Sequence, residues 1–389
     1  MISRQIENEL LEISKEYPVV TITGPRQSGK TTLVRKLFSD YNYVSVEAPD
    51  IRERAVLDPR GFLSSVSIPV IIDEIQQVPS LLSYIQTIVD NGVDEGSYIL
   101  TGSHQPKLNE AISQSLAGRT GVLTLLPFSA KEIDLVNSKT EQWDFILQGG
   151  YPRIYDKNLK LKRFFNSYIK TYVERDVRQI IQIKDSFSFQ QFLKLSAGRI
   201  GSLLNYSSLS NDVGISSQTI KEWYSVLEAS FITFRLQPFF ANIRKRMVKS
   251  PKLYFHDTGL ASYFLGIYST EILLRDPLRG MLFENAVISE ILKQRYARGV
   301  MEEIYFYRDN HGNEVDLCIE TERKLYLIEI KSAATFSKHF LKGLNYLKEL
   351  LKDKVASSFV FYSGEESFKI NDVMVLNPFL HGIPDVLLK

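Results

Sequence analysis

The sequence contains little of the side-chain chemistry that holds disulfide-linked or metal-centred folds together. Its 389 residues include one cysteine, Cys318, which excludes a disulfide framework and a cysteine-rich zinc site. The five histidines do not have the spacing of metal ligands. We therefore interpret them as surface or packing residues: His104, His256, His311, His339 and His381.

Long apolar runs and an excess of one charge sign are also missing. No uncharged stretch is long enough to span a membrane. Residues 1–13 predict a polar amphipathic helix without the apolar core of a signal peptide. We therefore expect a cytoplasmic protein that does not contact a membrane. Because the net charge is only +2, any affinity for nucleic acid must come from local patches.

The strongest motif is a glycine-rich segment between a predicted strand, Tyr17 to Thr23, and a predicted helix, Thr31 to Phe38. It matches the pattern G-x-x-x-x-G-K-[ST], in which backbone N–H groups and a helix N-terminus surround phosphate oxygens. Lys30 can reach the β- and γ-phosphates, and the Thr31 hydroxyl can bind Mg²⁺. The predicted phosphate-binding residues are Gly24, Pro25, Arg26, Gln27, Ser28, Gly29, Lys30, Thr31 and Thr32.

Three later segments supply further polar groups at predicted strand ends. An apolar run from Ile68 ends in Asp73 and Glu74, which suit Mg²⁺ binding through water and polarisation of an attacking water. The strand at residues 97–103 ends in Thr101 and Ser103; either can sense a γ-phosphate, and a simple turn is an equal alternative. Arg119 precedes a strand predicted at 122–126. It is placed either to reach a phosphate in a neighbouring subunit or to lie at the surface.

Together these motifs resemble the AAA ATPase superfamily, in particular a prokaryotic group with a C-terminal nuclease-like domain. The resemblance covers nearly the whole chain and implies ATP and Mg²⁺ as cofactors. It implies phosphate and metal binding by Lys30 and Thr31, hydrolysis by Asp73 and Glu74, and a first sensor at Ser103. Arg119 would be an arginine finger. The sensor position carries Ser or Thr where Asn is common, and no second-sensor arginine is obvious.

The middle of the chain predicts two helical regions. Residues 132–184 predict helices, which we interpret either as a lid or subunit contact with Arg153 or Arg175 near the nucleotide, or as a solvated charged face. Helices at 189–196, 207–213 and 217–227, followed by strands at 231–236 and 252–255, predict a winged helix. The loop between its strands is basic and suits sequence-independent contact with double-stranded DNA. A packing module is the equal alternative. The cations of this loop are Arg244, Lys245, Arg246, Lys249 and Lys252.

The last third of the chain presents acidic residues and a lysine in an ordered set. Glu284 lies on a predicted helix, Asp316 on a strand, and Glu329 and Lys331 on one face of the next strand. Asp316 and Glu329 suit Mg²⁺, and Lys331 can orient water or stabilise negative charge. The set resembles the PD-(D/E)xK nuclease superfamily. That fold also occurs as a binding module without catalysis.

The sequence therefore predicts an α/β protein in which a P-loop parallel-sheet core precedes three further parts. We expect an ATPase core at 1–135, a helical lid at 136–186, a winged helix at 187–268 and a restriction-endonuclease-like domain at 269–389. The leading hypothesis is an ATPase that drives or gates a DNA-interacting module. The competing hypothesis is a slow switch that binds a protein partner. A kinase fits less well, because Asp73 and Glu74 suit water activation. A homo-oligomer follows if Arg119 acts in trans.

Overall fold

The computed structural model describes residues 2–103, 106–134, 141–172, 185–239, 248–300 and 303–389. Three groups of predicted residues lie outside these ranges, namely His104, Arg175 and the loop cations Arg244 to Arg246. No helix within the described ranges is both long and apolar enough to cross a membrane.

The first part of the chain forms a five-stranded parallel sheet with the order β2-β3-β4-β1-β5. Its strands are β1 (Val19–Thr23), β2 (Asn42–Ser45), β3 (Val70–Asp73), β4 (Tyr98–Thr101) and β5 (Thr120–Thr124). The predicted parallel sheet is confirmed. The strand predicted at 122–126 begins two residues earlier, because Thr120 pairs with Val19 and the whole register follows from that pairing.

Helices cover both faces of this sheet, as parallel strands require. They are α1 (Glu7–Ile13), α2 (Lys30–Leu37), α3 (Pro49–Leu57), α4 (Pro59–Ser64), α5 (Leu81–Asp90) and α6 (Pro106–Ser115). Val19 packs in one buried cluster with helix α5, and Val20 packs in another with α1 and α2. The two neighbours point to opposite faces because side chains alternate along a strand.

A helical region follows the first sheet. Its elements are α7 (Ala130–Asp134), α8 (Gln142–Gln148), α9 (Pro152–Lys157), α10 (Leu161–Tyr168), α11 (Ser186–Ala197), α12 (Tyr206–Val213), α13 (Ser217–Ala229), α14 (Thr258–Phe264) and α15 (Thr270–Arg275). The turn between α12 and α13 has Gly214 in the left-handed region, with φ 80°. The Ser216 hydroxyl then accepts a hydrogen bond from the Thr219 N–H at 3.0 Å and caps α13.

The second sheet is mixed and has eight strands in the order β12-β13-β11-β10-β9-β8-β6-β7. They are β6 (Thr233–Pro238), β7 (Lys252–Phe255), β8 (Ile304–Arg308), β9 (Glu314–Thr321), β10 (Lys324–Lys331), β11 (Val355–Tyr362), β12 (Phe368–Ile370) and β13 (Val373–Leu376). Three helices accompany it: α16 (Arg279–Tyr296), α17 (Lys342–Leu351) and α18 (Pro378–His381).

The predicted wing differs from the observed hairpin in two ways. Strands β6 and β7 do pair antiparallel, but β6 also pairs with β8 through Gln237 and Tyr305. The hairpin is therefore an edge of the eight-stranded sheet, which crosses the domain boundary predicted at residue 268. Lys252 was predicted as a loop cation available to DNA. It is instead only 3% exposed, because β7 places it in a cavity that is also lined by Glu284, Glu314 and Asp316.

Candidate functional site

The glycine-rich segment connects β1 to α2 and forms a tight backbone loop. A Cβ on Gly24 would lie 2.2 Å from the Leu125 carbonyl oxygen, so only glycine allows this approach. Gly29 adopts φ 96° immediately before α2. The Lys30 Nζ donates hydrogen bonds to the carbonyls of Gly24, at 3.0 Å, and Pro25, at 2.8 Å. Burial lowers the pKa of Lys30 to about 8, against the attraction of the Glu74 and Asp73 carboxylates.

The carboxylate of Asp73 lies at the carboxyl end of β3 and is surrounded by hydroxyl groups. It accepts hydrogen bonds from Thr31 Oγ1 at 3.0 Å, from the Tyr43 hydroxyl at 2.9 Å and from the Thr101 hydroxyl. The two residues predicted to bind Mg²⁺ are therefore in direct contact. Thr101, one of two candidate sensors, contacts Asp73. The other candidate, Ser103, has a buried Oγ with no hydrogen-bond partner within the described ranges.

Glu74 follows in a left-handed conformation, with φ 61° and ψ 39°. The amide of Gln76 lies between Glu74 and the end of β4. Its Nε2 donates to Glu74 Oε2, and its Oε1 accepts from the Ser103 N–H at 3.1 Å. Neither Gln76 nor Tyr43 was predicted as a site residue, because their contacts do not follow from a spacing along the chain.

A cavity of about 680 Å³ opens over the glycine-rich loop. Lys30, Thr31 and Glu74 line it from the sheet side, and Arg153 of α9 lines it from the helical side. Arg153 was one of two arginines predicted near a nucleotide. Arg26 belongs to the same lining, with its guanidinium carbon 5.8 Å from the centre of the Tyr172 ring. The cavity thus brings cations from the glycine-rich segment and from the helical region close together.

Arg119 lies at the amino ends of the parallel strands, whereas this cavity lies at their carboxyl ends. It precedes the first residue of β5, whereas the glycine-rich loop follows the last residue of the parallel strand β1. The two ends of these strands are separated by five paired residues, each with a rise of about 3.3 Å. The Arg119 guanidinium forms an ion pair with Asp90, with Nε 2.5 Å from Oδ1. Arg119 therefore cannot contact the cavity of its own chain, and a role in a neighbouring subunit stays a prediction.

Arg4 supports the glycine-rich loop through hydrogen bonds to its backbone, a role that the sequence does not predict. Its guanidinium donates to the carbonyls of Ser28, at 2.8 Å, and Leu126, at 2.7 Å. Its Nε forms an ion pair with Glu132 Oε1 at 3.0 Å, and both side chains are buried. The guanidinium also lies over the Phe128 ring, 4.6 Å from its centre. One arginine therefore fixes the loop to the segment that follows β5.

We expect Arg4→Met to destabilise the protein by about 3 kcal/mol, because it leaves the buried Glu132 carboxylate without its cation. The measurement is the shift of the urea unfolding midpoint. Arg298→Met is the matched control, since the Arg298–Asp385 pair is exposed. The double variant Arg4→Met/Glu132→Gln should lose less than the sum of the two single losses. Equal midpoints for the Arg4 and Arg298 variants would contradict this role.

The four residues predicted to form a second site do converge. Lys331 Nζ lies 3.1 Å from Asp316 Oδ2 and 2.7 Å from Glu329 Oε1. Asp316 Oδ2 also accepts from the Ile330 N–H at 2.8 Å. Together with Glu284 of α16 these residues line a cavity of about 540 Å³. Glu329 Oε2 is buried, and no described residue forms a hydrogen bond with it.

Lys252 is an additional member of this second site. Its Nζ lies 3.2 Å from Glu284 Oε1 and 2.6 Å from Glu314 Oε1. Burial raises the pKa of Glu284 despite the adjacent ammonium. Burial and the neighbouring Asp316 raise the pKa of Glu329 to about 8. Among the described residues, no three or more His, Cys, Asp or Glu side chains are grouped so as to hold a metal ion.

Helix α16 connects the two sites physically. Glu284 near its start belongs to the second cavity. Nine residues later, Lys293 Nζ donates to the Phe128 carbonyl at 3.0 Å, and Glu290 accepts from the Ala130 N–H at 2.9 Å. Phe128 contacts Arg4, which holds the glycine-rich loop. At 1.5 Å per residue, the helix spans about 14 Å between these two contact points.

Three family models match consecutive parts of the chain. Residues 16–134 match the model described as an AAA domain. Residues 139–271 and 279–380 each match a domain of unknown function, DUF8612 and DUF4143 respectively. The first match contains every residue of the glycine-rich loop, together with Asp73 at the end of β3 and Glu74 after it.

Two curated relatives are similar to nearly the whole chain. They are the uncharacterized proteins Mb2031c of Mycobacterium bovis and Rv2008c of Mycobacterium tuberculosis. Each is 30% identical over 364 residues, which is 93% of this chain and 80% of the relative.

Solved structures give more distant matches. The Walker-type ATPase PABY2304 of Pyrococcus abyssi is 15% identical, with a TM-score of 0.44 over 68% of this chain and 96% of that one. A single-residue variant of RuvB from Thermotoga maritima is 19% identical, with a TM-score of 0.30 over 59% and 87%.

Proposed function

Because the chain belongs to the same family as the two mycobacterial proteins and begins with an AAA-type ATPase domain, we propose that it hydrolyses MgATP to gate a C-terminal module acting on DNA. One observation carries the hydrolytic part of this proposal. The cavity over the glycine-rich loop brings Lys30, Thr31 and Glu74 together, and Asp73 contacts Thr31 directly beneath them. This arrangement supports the proposal, because the groups proposed to bind phosphate, to bind metal and to activate water lie close together.

Each residue of the first cavity has a distinct role in the proposed reaction. Backbone N–H groups of the loop and the Lys30 ammonium bind the β- and γ-phosphates. The Thr31 hydroxyl and the Asp73 carboxylate are oxygen ligands 3.0 Å apart, a donor set that suits Mg²⁺. Bound Mg²⁺ would neutralise charge on the phosphates. Glu74 takes a proton from the attacking water, while Arg26 and Arg153 lie where they can stabilise phosphate charge.

The second cavity supports a Mg²⁺-dependent step on a phosphodiester of DNA. Asp316 and Glu329 are the proposed metal ligands, and the buried Glu329 Oε2, which has no hydrogen-bond partner among the described residues, favours this assignment. Lys331 is placed to orient water or to stabilise developing negative charge. Helix α16 provides the connection, because it contacts both the second cavity and the support of the glycine-rich loop.

A switch that binds a protein partner is the second candidate. The specific observation in its favour is the pairing of Lys252 with Glu284 and Glu314, which places a buried ammonium in the same cavity as the proposed metal ligands and disfavours a cation there. In that case the nuclease-like site is catalytically silent. ATP would then control assembly, with Arg119 reaching a neighbouring copy, instead of controlling an action on DNA.

ATP turnover with and without linear double-stranded DNA separates the two candidates. We expect DNA to stimulate turnover at low salt and the stimulation to fade at moderate salt, because phosphate contacts release counterions. The same assay with a polyanion such as heparin controls for charge alone. Turnover that is indifferent to DNA at every salt concentration would contradict the DNA role and favour the switch.

A further inference from the structure

The side-chain amide of Gln76 joins the ends of two neighbouring strands beside the nucleotide cavity. Gln76 is 6% exposed and follows β3 by three residues. Its orientation is determined by its partners: the Ser103 N–H can only donate, so Oε1 must face it. The Nε2 group consequently faces Glu74 Oε2 and donates to it.

The surrounding backbone is shaped around this amide. A Cβ on Gly102 would lie 2.7 Å from Gln76 Oε1, so glycine at the end of β4 makes room for the side chain. Glu74 adopts a left-handed conformation that non-glycine residues seldom adopt. Such a conformation is energetically unfavourable for a residue with a Cβ and persists where neighbouring contacts hold it. The Gln76 amide is one of those contacts.

The amide connects two groups with separate proposed tasks. Glu74 is the proposed base, and Ser103 is the predicted sensor of the γ-phosphate. Ser103 Oγ is buried without a hydrogen-bond partner in the described part of the chain, while the N–H of the same residue is held by Gln76. A displacement of Ser103 would therefore be transmitted to Glu74 through a single side chain.

We propose that Gln76 is a positioning residue for ATP hydrolysis, which fixes the Glu74 carboxylate relative to the end of β4. This role rests on the proposed hydrolytic function. By holding Oε2, the amide leaves the other carboxylate oxygen, Oε1, to take the proton from the attacking water. Gln76 does not itself touch the reacting atoms.

Two variants separate its contacts. Gln76→Met keeps a similar side-chain volume but removes donor and acceptor alike. Gln76→Glu keeps an acceptor for the Ser103 N–H and places a second carboxylate against Glu74. Gln77→Glu makes the same chemical change one residue along, at a partly exposed position, and serves as the matched control. Binding of ADP, measured by calorimetry, tests whether each variant retains the folded cavity.

We expect kcat for ATP to fall about tenfold or more in both Gln76 variants, as for loss of a hydrogen bond to a charged group, with KM and ADP affinity within about twofold of wild type. The acid limb of the kcat profile should move to higher pH in Gln76→Glu alone, because two carboxylates in contact share a proton. Gln77→Glu should behave as wild type. A purely structural role would lower ADP binding without moving the pH profile.

Failure of this role is distinguishable from failure of the proposed function. If wild-type protein turns over ATP and Glu74→Gln stalls, but Gln76→Met keeps the wild-type kcat, only the role of Gln76 is overturned. A rise in kcat in either variant would also overturn it, since the amide would then restrain the base. Absence of turnover in wild-type protein overturns the hydrolytic function and this role with it.

Discussion

Glu74→Gln is expected to lower the rate of ATP hydrolysis by about 10²–10⁴-fold while ATP binding is retained. An amide has nearly the same shape as a carboxylate but cannot accept the proton of the attacking water. The glycine-rich loop, Lys30 and Thr31 remain intact in this variant, so the phosphates keep their contacts. The measurement is single-turnover hydrolysis at saturating ATP, together with ATP affinity.

Two controls make the Glu74 result specific. Lys30→Ala should lose ATP binding itself, because it removes the buried ammonium from the loop. Glu95→Gln makes the same chemical change at an exposed position just before β4. It should leave the hydrolysis rate and the ATP affinity unchanged. Wild-type turnover in Glu74→Gln would exclude Glu74 as the base.

If the second cavity is a nuclease site, we expect Asp316→Ala to abolish its Mg²⁺-dependent cleavage of DNA. Asp316 is 6% exposed and accepts hydrogen bonds from both the Ile330 N–H and Lys331. Its removal takes away a proposed metal ligand and also the group that holds Lys331. The measurement is cleavage of linear double-stranded DNA with Mg²⁺, in the presence of ATP. ATP turnover, which we propose for the other cavity, reports on the folding of the variant.

Asp316→Asn distinguishes charge from packing at this position. The amide keeps the size of the side chain and an acceptor for the Ile330 N–H, but it lacks the charge that binds a metal. It should therefore be as inactive as the alanine variant. Asp353→Asn, at an exposed position of the same sheet domain, should cleave normally. If wild-type protein cleaves and Asp316→Asn retains that activity, the metal assignment is wrong.

The first sheet was predictable because its information is local. Apolar runs of about four to seven residues predict buried strands, and the glycine-rich segment occurs between a strand and a helix as its mechanism requires. Even so, the start of β5 was misplaced by two residues. Thr120 belongs to the strand because it pairs with Val19, and that pairing is not visible in the residues around Thr120.

The acid–lysine cluster was predictable for a different reason. The period of two along a strand places Glu329 and Lys331 on one face, and an antiparallel neighbour can bring Asp316 to them. Lys252 could not be assigned in this way. It lies 32 residues before Glu284, in a stretch rich in surface-type cations, and its burial depends on contacts with distant residues such as Glu284 and Glu314.

The supporting residues of the nucleotide cavity were the least predictable. Arg4 reaches Ser28, Leu126 and Glu132, which are separated from it by 24 to 128 residues. Tyr43 meets Asp73 only because β2 and β3 are neighbours. Such contacts depend on the completed fold, and the same residue types at the surface have no comparable role.

The buried charges of α16 also determine whether the C-terminal part of the chain can exist alone. The third family match begins at residue 279, the first residue of this helix. A fragment cut there would retain Glu284, Glu290 and Lys293 but lose the Lys252 ammonium and the backbone groups of residues 128 and 130 that contact them. An uncompensated buried charge costs several kcal/mol. We therefore expect a fragment that begins at residue 279 to be less stable than the same residues within the full chain.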